Sequence, residues 1–461
     1  MATPRTVAFH TLGCKLNYAE TSSVRRLFEQ DGYAVVPYDA EADIYVLNTC
    51  SVTQNADRDC RKSVRQVHRQ NPQARVVVMG CYAQLKPKEI ANIKGVDLVL
   101  GAAEKFNILE YIHSLDGVLD QGTVHAGEIQ EANIFTPAYS FGDRTRSFLK
   151  VQDGCDYKCT FCTIPQARGK SRSAEISQIV AQAKEIGLSG KKEIVLTGVN
   201  IGDFGNGTAV IEGERPKKEA MLIDLIRELD QVQEVERFRI SSIEPNLCTD
   251  EIIDFVSHSD RFMPHFHMPL QSGNNEILKR MKRRYLRELY AARVQRIKEV
   301  MPHACIGVDV ITGFPGETEA HFADTYEFLM DIDIDYIHAF TYSERENTPA
   351  ALMEGVVPIG ERRARSKRLR QLSMKKKQAF YTRHLGQARD VLFEKGPDEN
   401  TISGYSDNYV RVVLPYDESL INTLAPVELQ KITGVREDIF VKASLALSNA
   451  MTGPHLSGYS S

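Results

Sequence analysis

The sequence predicts an α/β protein in three parts: an N-terminal doubly wound parallel-sheet domain, a central partial (β/α)6 barrel and a small C-terminal OB-like β-barrel. Three observations carry this. Up to about residue 115, short apolar β runs alternate with helical stretches. From about residue 144 the alternation resumes in six larger units. After Ala388 come five short β runs with no helical pattern between them.

In the first part, residues 1–115, the strands are "TVAFHT", "AVV", "DIYVLNT", "ARVVVMG" and "VDLVLG". "NYAETSSVRRLFEQDG", "RDCRKSVRQVHRQN" and "KPKEIANI" are the helices between them. Strands that are apolar throughout are covered on both faces, as in a parallel sheet. Cys14, Cys50 and Cys81 each follow such a strand, at the edge where open parallel sheets bind ligands, so the three are expected to meet in one crevice. Residues 116–143 show no periodicity and are expected to form a linker. The barrel, 144–372, draws its strands from "SFLKVQ", "EIVLTGV", "RFRISSI", "HFHMPL", "IGVDVITGF" and "YIHAFTYS". Its active site is expected at the C-terminal strand ends, where Cys155, Cys159 and Cys162 lie in the loop after the first strand. In 373–447, "RDVLFEK", "TISGYS", "YVRVVLP", "APVELQKITGV" and "DIFVKASL" have the spacing of a small barrel of a kind much used for nucleic acid, and 448–461 is a tail.

A chain of 461 residues with 42% apolar and 26% charged residues has ample material for more than one core. No secretory pattern or spanning apolar run is visible, which points to the cytoplasm and away from membranes. In that compartment nine cysteines read as metal or redox ligands rather than disulfides. The net charge of −4 hides two basic runs, "LKRMKRRYLREL" from Leu278 and the acid-free stretch from Arg362 to Arg389. Either could be a solvated helix face; together they favour a phosphate-rich partner.

"CDYKCTFC" places three thiolates in eight residues. A structural zinc site needs a fourth protein ligand, such as a distant His. On a four-iron cluster, three thiolates leave one iron open to hold the amine and carboxylate of S-adenosylmethionine and to pass it an electron. Tyr157 and Phe161, between the cysteines, are positioned to pack beside such a group.

"CDYKCTFC" resembles the radical S-adenosylmethionine signature. "TLGCKLN", "NTCSVT" and "GCYAQ" resemble the three auxiliary-cluster boxes of the methylthiotransferases, and "MPLQSGNNEILKRMKRRY", "GVDVITGFPGETEAHF" and "YSERENTPAA" resemble internal boxes of that family. The tail resembles its TRAM domain. The resemblance covers nearly the whole chain. It implies an enzyme that replaces the C2–H of a hypermodified adenosine with a methylthio group, using two 4Fe–4S clusters and two molecules of S-adenosylmethionine. Cys155, Cys159 and Cys162 would hold the radical-generating cluster, and Cys14, Cys50 and Cys81 the auxiliary one. "TLGCKLN" with "NTCSVTQNAD" is most similar to the branch acting on N6-threonylcarbamoyladenosine beside the anticodon; the isopentenyladenosine branch reads closer to "GCQMN" and "NTCSIR".

The implied partners are a tRNA anticodon stem-loop, an electron donor such as flavodoxin or ferredoxin, and a sulfur source. For the cofactor pocket the candidates are Gly198 and Asn200 in "TGVNIGDFG", where the usual acid is missing, with Glu244 and Gln271 at later strand ends. Gly313 and Gly316 fit either a cofactor approach or a plain turn. Cys60, Cys248 and Cys305 read as small buried hydrophobes. His265 and His267 share a strand face with no third ligand apparent. Three rival readings remain at this point: the isopentenyladenosine branch, the branch that modifies a ribosomal-protein aspartate, and a non-catalytic RNA-binding protein whose cysteines hold zinc.

Overall fold

A computed structural model describes residues 5–115, 122–142, 145–205, 220–396, 398–435 and 438–446. The chain divides into two units, Met1–Lys377 and Gln378–Ser461.

The first unit opens with a six-stranded, all-parallel sheet in the order β2-β1-β3-β4-β5-β6. Its strands are β1 (Thr6–Thr11), β2 (Ala34–Val36), β3 (Ile44–Thr49), β4 (Arg75–Gly80), β5 (Leu98–Leu100) and β6 (Thr123–His125). Every residue of β3 is buried, as its apolar run requires. Helix α1 (Lys15–Gln30) turns Leu16, Ala19, Val24 and Phe28 inward, and α2 (Gln54–Gln70) buries Cys60, Val64 and Val67. The Thr53 side chain caps α2 by accepting from the Ala56 N–H at 3.2 Å. Strand order reverses between β1 and β3, which makes the crevice above their C-terminal ends the switch point of the sheet. Cys14 follows β1 and Cys50 follows β3, one on each side of it.

A short piece of the segment expected to be a linker joins this sheet. Residues 123–125 form its sixth strand, and Tyr139 bridges to Leu149 in the next sheet. A three-residue edge strand leaves no periodicity to read. Residues 116–121 and 143–144 lie outside the described residues, as does the tail from 448.

The barrel strands are β7 (Arg146–Lys150), β10 (Glu193–Thr197), β11 (Arg237–Ile240), β12 (His265–Gln271), β13 (Cys305–Thr312) and β14 (Tyr336–Thr341), all parallel. They form two three-stranded sheets, joined by parallel bridges Phe238–Phe262 and Ser242–His267. A short antiparallel ladder of β8 (Gln152–Asp153) and β9 (Arg172–Ser173) follows β7 and brackets the cysteine loop. Outward residues, among them Leu149, Ile194, Leu196, Phe238, Met268 and Val308, form one core with the surrounding helices. The alternate residues, which line the interior, are largely polar: Arg146, Lys150, Glu193, Arg239, His267 and Asp309.

In the second unit β15 (Ala388–Lys395), β16 (Thr401–Ser406), β17 (Arg411–Pro415), β18 (Leu424–Thr433) and β19 (Phe440–Leu445) close a barrel in the order β15-β16-β17-β19-β18. The parallel β17–β19 pair within an otherwise antiparallel barrel gives the OB-like connectivity that was expected.

The basic stretch from Arg362 is only partly a solvated face. It lies in the helix Ile359–His384, where buried Arg362 and Arg365 pair with Glu344 and Glu317. Arg363, Lys367 and Lys375 are exposed.

Candidate active site

Backbone geometry brings the first trio together. Gly13 has φ +106°, and a Cβ there would stand 2.6 Å from the Cys50 Cβ, so only glycine lets the Cys14 loop lie against Cys50. The Asn17 side chain fastens the two loops by donating to Leu12 O at 2.9 Å and Thr49 O at 3.0 Å. Cys81 opens a short helix directly after β4. Burial pushes the Cys50 thiol up to about 12, with Cys81 adding to the rise, and raises Cys81 as well.

Arg168 donates from Nε to the Cys81 sulfur at 3.3 Å. Its other nitrogens reach Glu20, Asp153 and Asn17 at 2.6–3.1 Å. Glu20 also pairs with Lys105 at 2.7 Å and Lys150 at 3.1 Å, and Asp153 with Lys150 at 2.8 Å and Arg172 at 3.0 Å. These side chains are almost wholly buried. Their cations hold both carboxyls well below the usual carboxylate range. Four cations face two carboxylates, so the network carries an excess positive charge beside Cys81. An anionic, thiolate-ligated group is the natural counterpart of that charge.

The second trio also depends on a glycine. Gly154 has φ +68°, and a Cβ there would fall 1.9 Å from Lys170 O. The sulfurs of Cys155 and Cys162 accept backbone N–H groups from Tyr157 and Ile164, each at 3.4 Å. Arg283 donates to the Cys159 sulfur at 3.0 Å and pairs with Glu244. Burial raises Cys155 and Cys162 to about 12, so these thiols stay protonated until a metal takes them. A single zinc with bonds of about 2.3 Å would draw its sulfurs to roughly 3.8 Å of one another. Among the described residues only His267, Asp309 and His338 gather within 4.8 Å; neither cysteine trio does. Wider spacing suits a cluster that gives each thiolate its own iron.

All four expected cofactor residues lie in the first unit. Gln152 Oε1 accepts from the N–H groups of Val199 and Asn200 at 3.0 and 2.8 Å, and a Cβ on Gly198 would crowd that oxygen at 2.9 Å. Asn200 is 3% exposed, and neither polar atom of its side chain has a partner in the protein, which calls for a ligand. Glu244 joins the cysteine loop through Arg283. Gln271, at φ +69°, lines a cavity of about 230 Å³. Val52 and Thr53, just past Cys50, form one wall of that cavity, and Phe161 and Cys162 form another. The segment after Cys50 and the Cys162 end of the second trio thus line one chamber. Gly313 and Gly316 make a tight turn, with the Gly313 N–H donating to Glu317 at 2.6 Å.

The structure supplies partners that the sequence reading of His267 missed. His267 Nε2 meets Asp309 at 2.9 Å and His338 meets the same oxygen at 3.3 Å. The two imidazoles hold the Asp309 carboxyl far below its usual range. Arg168, Glu20, Gln152 and Arg283 were missed as well. Of these only Arg283 left a trace, as one cation in the run "KRMKRRYL". Cys60, Cys248 and Cys305 are buried, consistent with packing.

Residues 6–101 match the family model described as Uncharacterized protein family UPF0004, and residues 149–329 match the Radical SAM superfamily. The "Threonylcarbamoyladenosine tRNA methylthiotransferase MtaB" of Bacillus subtilis is 39% identical, with 92% of this chain and 94% of the relative covered. The Aquifex aeolicus protein of the same name is 40% identical over 88% and 96%. A "tRNA-2-methylthio-N(6)-dimethylallyladenosine synthase" of Staphylococcus epidermidis is 28% identical over 94% and 84%. In fold, the chain resembles the radical S-adenosylmethionine methyltransferase TsrM of Kitasatospora setae, with a TM-score of 0.53 at 15% identity over 76% and 77% of the two chains. The chain therefore belongs to the radical S-adenosylmethionine methylthiotransferases, enzymes that use 4Fe–4S clusters and S-adenosylmethionine.

Proposed function

We propose that this enzyme methylthiolates C2 of N6-threonylcarbamoyladenosine next to the tRNA anticodon, giving 2-methylthio-N6-threonylcarbamoyladenosine. The observation that carries the reading is the chamber walled by the Cys50 loop on one side and Cys162 on the other. Identity favours the same branch: 39–40% to relatives named for threonylcarbamoyladenosine against 28% to one named for dimethylallyladenosine.

In this reading Cys155, Cys159 and Cys162 hold the radical-generating cluster and Cys14, Cys50 and Cys81 the auxiliary one. When bound, the clusters supply the electron that cleaves S-adenosylmethionine and the site from which sulfur is transferred. The protein's part is position and charge. Arg283 and two backbone N–H groups stabilise thiolates of Cys155, Cys159 and Cys162, and Arg168 does so for Cys81. Gly198, Asn200, Glu244 and Gln271 receive S-adenosylmethionine, and the C-terminal barrel anchors the anticodon stem-loop. A flavodoxin or ferredoxin serves as reductant, alongside a sulfur source. Among the described residues no helix is long and apolar enough to cross a membrane, and we place the enzyme in the cytoplasm.

The test is reconstituted protein with stem-loop RNAs carrying either threonylcarbamoyl- or isopentenyladenosine, read by mass spectrometry. The methylthio product is expected from the first RNA only. Product from the second alone would move the enzyme to the other branch, and modification of a ribosomal-protein peptide instead of RNA would overturn the substrate class.

A further inference from the structure

At the start of the barrel strands the interior is unusually cationic. Arg146 and Arg237 are the register neighbours of Glu193, on either side of it. Arg239 donates to both Glu193 oxygens at 3.2 and 3.3 Å, and Arg237 and Arg239 are 4% and 2% exposed. One carboxylate thus faces three guanidinium groups.

Helix α1 brings a fourth cation. Tyr18 meets Phe148 edge-on at 5.7 Å, Ala19 packs with Phe148 and Val195, and Glu20 pairs with Lys150. The first turns of α1 therefore lie against the inward side of β7 and β10. Helical side chains lean towards the helix start. Lys15, one turn before Ala19, accordingly reaches the electrostatic neighbourhood of Arg146, Arg239 and Glu193. Its side chain is exposed, and no hydrogen bond or ion pair ties it to any described residue. Four cations around one carboxylate, directly beside Cys14, form a field that draws in an anion.

The substrate offers one. A threonylcarbamoyl group carries a carboxylate, whereas an isopentenyl group is neutral and apolar. In adenine the C2 atom and the C6 that bears N6 flank the same ring nitrogen. A base that presents C2 to the Cys14 side thus holds its N6 substituent within reach of the next residue. Resting on the substrate proposed above, we infer that Lys15, backed by Arg146 and Arg239, receives the threonylcarbamoyl carboxylate and selects this substrate over neutral N6 substituents.

The test uses the full-length, reconstituted enzyme, Lys15→Gln and Lys15→Arg. Anisotropy measures binding of stem-loop RNAs carrying threonylcarbamoyladenosine, its carboxyl methyl ester or isopentenyladenosine. The parent should prefer the acid over the ester by about tenfold or more, since pairing a charge in an enclosed site is worth at least that. Lys15→Arg should keep the preference and Lys15→Gln should reduce it to about twofold. If Lys15→Gln retains the parental preference, the inference is wrong. Loss of auxiliary iron in Lys15→Gln would overturn it too, by assigning the lysine to the cluster. A parent that binds the isopentenyl RNA as well as the acid would instead bring down the substrate reading, and the inference with it.

Discussion

Replacing Arg168 with Gln probes the buried network that joins the two halves of the site. The guanidinium touches Cys81, Glu20, Asp153 and Asn17 at once and is 2% exposed. Breaking a buried ion pair typically costs about 3–5 kcal/mol because a charge is left uncompensated. Here Lys105 and Lys150 still hold Glu20, and Lys150 and Arg172 still hold Asp153, so the cost falls near the lower end, about 3 kcal/mol. At roughly 2 °C per kcal/mol for a unit this large, the melting temperature drops by about 6 °C. The positive charge beside Cys81 falls by one, which weakens the hold on an anionic cluster. Anaerobic reconstitution should give about eight irons in the parent and approach four in the variant, with the loss confined to the auxiliary cluster. Calorimetry and iron analysis of parent, Arg168→Gln and Arg168→Lys measure both effects, the lysine variant lying between. Full iron and a melting temperature within about 1 °C of the parent would refute the role given to the network.

Replacing Cys155, Cys159 and Cys162 together with Ala should halve the iron and abolish 5′-deoxyadenosine production. The matching change at Cys14, Cys50 and Cys81 should also halve the iron yet leave some abortive cleavage, so stoichiometric zinc or unchanged iron in either would defeat the two-cluster assignment. The raised thiols set a pH dependence. Cys50, Cys155 and Cys162 titrate at about 12 in the cluster-free fold, against about 8.5 for a free thiol. Between those values the unfolded chain loses protons that the folded chain keeps. Cluster-free stability should therefore fall as pH rises from about 8.5, while the loaded enzyme, its thiolates already ligated, changes less; equal slopes would count against ligation by these residues. A chain ended at Lys377 should bind tRNA more weakly and with a shallower salt dependence, because fewer counterions are released. Equal affinity across a salt series, by filter binding, would remove the anchoring role.

Much of this architecture is legible in the sequence because its strands are self-announcing. "DIYVLNT" and "ARVVVMG" are apolar throughout, and the cysteines that follow them fall at the sheet edge where ligands bind. The six-cysteine pattern likewise survives as spacing and position. What stayed hidden needs register or burial. β6 is three residues long and carries no period. Arg168 meets Glu20 across 148 positions, and nothing local marks either as buried. His267 finds Asp309 and His338 only once β12, β13 and β14 are aligned side by side. Arg283 sat in view within a basic run, where composition suggested a phosphate partner rather than a thiolate.

The central claim is the substrate, and nucleoside mass spectrometry of bulk tRNA from cells lacking the gene tests it most directly. The account predicts that 2-methylthio-N6-threonylcarbamoyladenosine disappears while N6-threonylcarbamoyladenosine accumulates, with both restored by the parent gene and not by either cysteine-trio variant. Loss of the methylthio isopentenyl nucleoside instead, or no change in any methylthio nucleoside, would contradict it.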